Sequence, residues 1–296
     1  IGLWGPDEFT SGVSQPVLDR LVAGASEAGQ RARAARRPAE VVLAGVEAPP
    51  RTAVNIREPD VIDDQISILR AFARDTGEPL ATLVNWACHP ETLQRHSHSV
   101  SSDFATALRE VTEAGDGGVA VYVKGALGAL VTTGGADETY AEAARIGTAV
   151  GDEVNLAVRH SRTRLTEGQL RVATQEVRLP LNGTHLKDAI EAGVLSGESL
   201  DGDELRTRVT ALGLGPATFV TLPGEAQPAV GKYLKRAMRR PHRFLLGLAH
   251  DEIGYILRRA DHDDPLYAYE ATMSLGPDTA RRLALVARQL IEQVED

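Results

Sequence analysis

The sequence predicts an α/β fold, with a mixed, mostly buried β-sheet covered by helices on both faces. Three observations carry that expectation. Segments of strand and helix character alternate along the chain. Four of the strand segments are nearly continuous apolar runs, as expected for strands buried on both faces. One segment near residue 170 instead alternates apolar and polar residues, which marks a half-exposed strand and makes the sheet mixed.

Val17–Ala35 reads as a helix, with Ser14 placed to cap it and Pro16 near its first turn. Val41–Val46 is a β-branched run that Pro49-Pro50 stops. Asp64–Ala73 carries apolar residues in mixed spacing and fits either a strand or a short helix. Leu80–Ala87 reads as a buried strand, and Asp103–Ala114 as a helix capped by Ser102 or Asp103. Val119–Val123 is a strand that ends in a Gly-rich turn, and Asp137–His160 is a long helix. Leu170–Leu179 is the alternating strand. Asn182–Gly213 is polar, Gly-dotted and Asp-rich, and is expected to be a small helical excursion with loops. Ala217–Leu222 is a buried strand, Ala226–Arg239 a helix, Phe244–Leu248 a buried strand, and Pro277–Val294 an amphipathic helix.

Composition narrows the function. The 296 residues are 43% hydrophobic and 25% charged, ordinary values for a globular protein. Thirty-two Lys and Arg against 41 Asp and Glu give a net charge of −9, which argues against nucleic-acid binding because phosphates need a basic face. No apolar run approaches the roughly 20 residues a membrane-spanning helix needs. A single cysteine, Cys88, excludes an internal disulfide and a Cys-only zinc site. No repeat and no composition shift marks a boundary, so residues 1–296 read as one domain. The opening Ile1-Gly2-Leu3-Trp4-Gly5-Pro6-Asp7 has no signal-peptide pattern and reads like the middle of a domain, so further sequence is expected upstream.

In α/β folds chemistry gathers where strands meet loops. Three strand ends carry unusual residues. Asn85-Trp86-Ala87-Cys88-His89-Pro90 delivers His89 into a turn, and Leu222-Pro223-Gly224-Glu225 places Glu225 ahead of a helix N-terminus that favours a carboxylate. Gly247-Leu248-Ala249-His250-Asp251-Glu252-Ile253-Gly254-Tyr255 runs through a polar turn to a tyrosine. Histidine and glutamate at strand ends fit a catalytic zinc site with an open position. Each residue also has a plainer reading: a hydrogen-bonded turn histidine, a helix-terminal charge and a packed aromatic. His96 and His98 form a His-x-His pair, but their flanks read as a polar loop. His160, His185, His242 and His262 sit among charges and are expected at the surface. Cys88 and His89 are adjacent and would point to opposite faces of a strand, so Cys88 reads as a buried thiol rather than a His-activated nucleophile. Gly125-Ala126-Leu127-Gly128-Ala129-Leu130 lacks the ending of a phosphate-binding loop, and its glycines are expected to permit close backbone approach near a site.

Taken in order, these segments resemble the neutral/alkaline, non-lysosomal ceramidase family. The matching pieces are Ile1–Asp7, Val54-Asn55-Ile56-Arg57-Glu58-Pro59, Asn85–Pro90, Ser101-Ser102-Asp103-Phe104, Pro223-Gly224-Glu225, Gly254-Tyr255-Ile256, and Tyr269-Glu270-Ala271 with Gly276-Pro277. The resemblance implies a zinc amidase that cleaves the N-acyl bond of ceramide, with zinc held by two histidines, a glutamate and a tyrosine. It assigns His89, Glu225 and Tyr255 as zinc ligands, with the first histidine upstream of Ile1. It gives Arg57 and Tyr255 catalytic roles, and it implies a secreted or periplasmic setting. The family's serine has no counterpart within Gly125–Thr133, and no immunoglobulin-like segment follows before Asp296. Aromatics are only 4%, and no amphipathic stretch suited to a lipid surface is present. The expected function is therefore Zn2+-dependent hydrolysis of an N-acyl amide, lipid or small molecule. Two rivals are a non-catalytic binding protein on the same scaffold and a metal hydrolase of a polar amide.

Overall fold

A computed structural model describes residues 12–94, 97, 99–135, 137–182, 184–194 and 200–296. The chain begins with α1 (Gln15–Ala34), β1 (Ala39–Glu47), β2 (Ala53–Asn55), β3 (Gln65–Ala73) and β4 (Pro79–Trp86). α2 (Phe104–Thr112), β5 (Val119–Lys124), β6 (Val131–Thr133), α3 (Tyr140–His160) and β7 (Thr163–Leu165) follow. Next come β8 (Leu170–Pro180), α4 (Thr184–Glu191), β9 (Leu200–Asp201), β10 (Glu204–Leu214), β11 (Ala217–Thr221) and β12 (Glu225–Ala226). α5 (Pro228–Ala237), β13 (His242–Leu246), β14 (Tyr255–Ile256), α6 (Ala268–Thr272) and α7 (Thr279–Glu295) complete the order.

The α/β class and the mixed sheets hold, but the strands divide between two principal sheets. One has the order β5-β4-β3-β1-β7 and the other β13-β11-β10-β8, with β9 paired to β10. Each combines antiparallel pairs with one parallel pair, β4 with β5 and β11 with β13. Side-chain alternation explains the layers. Val42, Ile66, Ile68, Val84 and Trp86 turn from the first sheet toward α2 and α3. Leu43, Leu69 and Leu83 turn the opposite way and meet Leu212, Phe219 and Phe244 of the second sheet. The far side of that sheet, including Val209, Val220 and Leu245, packs on Leu234 of α5 and Leu283, Ala287 and Leu290 of α7. The result is four layers, helix–sheet–sheet–helix. Each sheet has helices on one face and meets the other sheet over part of its second face, with edge strands β5 and β8 left partly exposed.

Two contacts lock the sheets together. The rings of Phe219 and Phe244 stack with centroids 4.2 Å apart. Asn85 reaches across from β4, accepting a hydrogen bond from the Leu245 N–H at 3.1 Å and donating to the Leu245 carbonyl at 2.8 Å. Several element ends lie where the sequence predicts them. Asp103 caps α2, accepting from the Phe104 N–H at 2.7 Å. Asp64–Ala73 resolves as strand. Asn182–Gly213 does not hold as a helical excursion: α4 occupies its start, but its last third is β10, an eleven-residue strand central to the second sheet. α1 forms as expected yet buries no residue.

Candidate functional site

The candidate site forms at the end of the sandwich where β4 and β11 deliver their C-termini. Beyond Trp86 the chain turns, and the His89 N–H donates to the Val131 carbonyl at 3.0 Å. His89 Nδ1 also lies 2.8 Å from that carbonyl, which assigns the proton to Nδ1 and leaves the Nε2 lone pair free. Asp103 anchors the following residues, accepting from the Thr92 hydroxyl at 2.6 Å and the Leu93 N–H at 3.0 Å. One carboxylate thus caps α2 and fixes the turn that carries His89.

Glu225 and Tyr255 meet by strand pairing. β12 and β14 are parallel, with Glu225 opposite Tyr255, and the Glu225 N–H donates to the Gly254 carbonyl at 3.0 Å. Gly254 sits at φ +84°, and an added Cβ would fall 2.0 Å from the Met273 carbonyl oxygen, so only glycine suits this turn. From the other side Gly128 presses on Glu225. A Cβ there would stand 2.3 Å from the Glu225 carbonyl oxygen. The Gly-rich run therefore serves close backbone approach, as its sequence suggested.

His89 Nε2 stands 3.4 Å from Glu225 Oε2. That is long for a good hydrogen bond. It is also the edge of a tetrahedron whose ligands lie about 2.1 Å from a central zinc. Glu225 Oε2 is buried and has no hydrogen-bond partner among the described residues. A free imidazole nitrogen, an unpartnered carboxylate oxygen and a neighbouring phenol form a donor set of the N/O type zinc accepts. Among the described residues no group of three His, Cys, Asp or Glu side chains could hold a metal, so the phenol would be needed.

Charge perturbation concentrates here. Burial alone would depress the His89 imidazole, but the Glu225 carboxylate and the Val131 carbonyl outweigh it and the net shift is upward. Burial, and then the charge of Glu225, hold the Tyr255 phenol well above its usual range. A bound cation would reverse that direction. Glu252, which sequence reasoning did not single out, is pushed up to about 7 by partial desolvation and then by Glu225. Its only prior signal was its place in the same polar turn as Tyr255.

Arg57 joins the site through two partners. Its N–H donates to Asn55 Oδ1 at 3.0 Å, and the neighbouring Ile56 N–H donates to the Leu130 carbonyl at 3.0 Å. Its Nε donates to Glu270 Oε1 at 2.9 Å, and the Glu270 side chain is only 2% exposed. Next to Glu270, Tyr269 sets its ring edge-on to Tyr255 with centroids 6.0 Å apart. The Tyr269-Glu270 pair thus links Arg57 to Tyr255.

The remaining candidates fall elsewhere. Cys88 is fully buried and burial raises its thiol, in keeping with a packing role. His96, His98 and the opening Ile1–Asp7 lie outside the described residues. His160 and His185 are exposed, whereas His242 and His262 are half-buried, and His242 Nε2 lies 3.2 Å from the Thr163 hydroxyl. The structure thus corrects the surface placement expected for His242 and His262: His242 opens β13, a strand of the second sheet, and its charged sequence neighbours did not reveal that position.

No family model and no curated protein matches the sequence. Solved structures share its fold, two ceramidases among them. A neutral ceramidase from Pseudomonas aeruginosa superposes with a TM-score of 0.78 at 16% identity, over 97% of this chain and 58% of that one. A structure described as ceramidase complexed with C2 superposes with a TM-score of 0.71 at 15% identity, over 90% of this chain and 55% of that one. The chain thus has a neutral ceramidase-like fold and spans little more than half the length of either structure.

Proposed function

We propose that this chain is a zinc-dependent hydrolase of amide carbon–nitrogen bonds that releases a fatty acid from an N-acyl substrate such as ceramide. The observation that carries the proposal is the convergence of His89 Nε2, the unpartnered Glu225 Oε2 and Tyr255 at one end of a ceramidase-like fold. His89, Glu225 and Tyr255 would hold the metal, with His89 oriented through its Nδ1 contact to Val131. When bound, zinc supplies an acidified water and a positive charge beside the scissile carbonyl. Arg57, steadied by Glu270, offers a guanidinium to the oxygen that gains charge as water adds to the carbonyl carbon. The C–N bond then breaks and the amine leaves with a proton.

One observation favours a polar N-acyl substrate as a second reading. The loop that leads to Tyr255 borders a basin of about 620 Å³ lined by Arg206, Arg208, Glu176, His250 and Asp251. Such walls suit a polar headgroup better than a second alkyl chain. The test is zinc stoichiometry measured beside fatty-acid release from N-acylsphingosine and from an N-acyl amino acid. One equivalent of zinc and release from either substrate are expected, both lost in Glu225→Gln. Zinc binding without any hydrolysis would favour a binding protein, and unchanged zinc and turnover in Glu225→Gln would overturn the assignment.

A further inference from the structure

Between α5 and α7, on the outer helical layer, lies a cleft of about 450 Å³ that the candidate site does not use. Its size suits a small molecule rather than a protein segment. Ala229 and Val230 of α5 and Ala280 and Ala284 of α7 form its apolar floor, with Tyr233 and Leu285 as walls. Tyr233 and Leu285 are 42% and 52% exposed.

Every charged lining residue is an arginine: Arg236, Arg258, Arg259 and Arg281. In a chain of net charge −9 that grouping runs against the average. The four are not equally committed. Arg258 pairs with Glu58 at 2.9 Å and with Asp261, and Arg259 pairs with Asp278 at 2.8 Å. Arg281 stands 3.7 Å from the same Asp278, outside hydrogen-bond range. The Arg236 side chain makes no hydrogen bond or ion pair among the described residues. Tyr233 of α5 accepts from Arg288 of α7 at 3.0 Å and the Arg239 N–H donates to Glu295 at 3.0 Å, so Arg236, in the last turn of α5, and Arg281, in the first turn of α7, sit at opposite ends of the cleft.

We propose that this cleft binds a single-chain carboxylate amphiphile, with its head on Arg236 and its alkyl chain along the alanine floor toward Ala280. Guanidinium forks match carboxylate geometry in two parallel hydrogen bonds. The floor supplies what the chain needs, removal of apolar surface from water. The inference does not depend on the proposed hydrolysis, although that reaction would release a ligand of the same class.

Calorimetric titration of the full chain with decanoate, below its micellar concentration, tests it. One saturable equivalent is expected for the wild-type chain and for His89→Ala, and none for acetate, which lacks the tail. Arg236→Gln should raise Kd at least tenfold, while Arg236→Lys should keep most of the affinity. Ala284→Phe, which fills the floor and leaves every arginine in place, should block binding at an unchanged melting temperature. No saturation by decanoate, or equal Kd in Arg236→Gln, would overturn the proposal. Loss of binding in His89→Ala would also overturn it, by placing the carboxylate in the candidate active site.

Discussion

At Gly128 a single hydrogen atom in place of a methyl group lets two segments close around Glu225. Alanine there would sit 2.3 Å from the Glu225 carbonyl oxygen, and the facing atoms are backbone, so they cannot swing away. Gly128→Ala should therefore cost about 1–3 kcal/mol, as overpacking does, and should displace Glu225 enough to weaken zinc binding. Gly24→Ala in α1 is the control, because an added Cβ meets nothing within 4 Å. Urea midpoints and zinc stoichiometry for the two variants check this, and equal behaviour would refute it. The Arg57–Glu270 pair separates structure from chemistry. Arg57→Ala strands a carboxylate that is only 2% exposed, and removing one partner of a buried pair costs about 3–5 kcal/mol. Glu270→Gln should be milder in stability and should lower kcat without loss of zinc. A Glu270→Gln variant with wild-type kcat would show that the pair only holds the fold.

At the scale of elements, legibility tracked burial. β1, β4, β11 and β13 were readable because both faces are covered, so their sequences are nearly continuous apolar runs. β10 was not readable. Only one of its faces meets α7 along its whole length, and on the other Arg206 and Arg208 line an open basin. The order of the sheets was hidden as well, because pairing partners such as Thr218 and Arg243 carry no local mark. The last helix offers an element-level prediction. Glu295 is 2% exposed and accepts from the Thr218 hydroxyl at 2.6 Å and from the Arg239 N–H at 3.0 Å, which ties α7 to β11. Burial would raise its carboxyl, but these bonds outweigh burial and the net shift is downward. A depressed carboxylate stabilises the fold above its unfolded value, about 4.3, and that contribution fades as pH falls through the folded value. Glu295→Gln should thus cost about 1–3 kcal/mol near pH 7, with the gap to wild type narrowing below pH 4. A gap independent of pH would mean that the charge is not what matters.

For the whole molecule, the candidate site draws on segments that only the complete fold unites. His89 follows β4, Glu225 and Tyr255 belong to the two-residue strands β12 and β14, and Arg57 follows β2. Strand ends and the motif resemblance exposed all four in the sequence, and Glu270 lay inside one of the matching pieces, while Glu252 had no signal beyond its place in the polar turn. Because the proposed ligands come from both halves of the sandwich, metal binding, if it occurs there, should couple to global stability. A ligand that binds only the folded state stabilises it by RT ln(1 + [L]/Kd), about 2.7 kcal/mol at one hundred times Kd. The wild-type chain should melt higher with excess zinc than with chelator. His89→Ala and Glu225→Gln should each abolish that difference while melting near the chelated wild type, since each removes a donor and leaves the core intact. A separate metal-independent unit should not respond, so the two-sheet core should unfold in one transition whose midpoint moves with zinc. Calorimetric scans of the three proteins, with and without zinc, decide the matter. A wild-type midpoint indifferent to zinc, or a zinc shift that persists in Glu225→Gln, would remove these residues from any metal site.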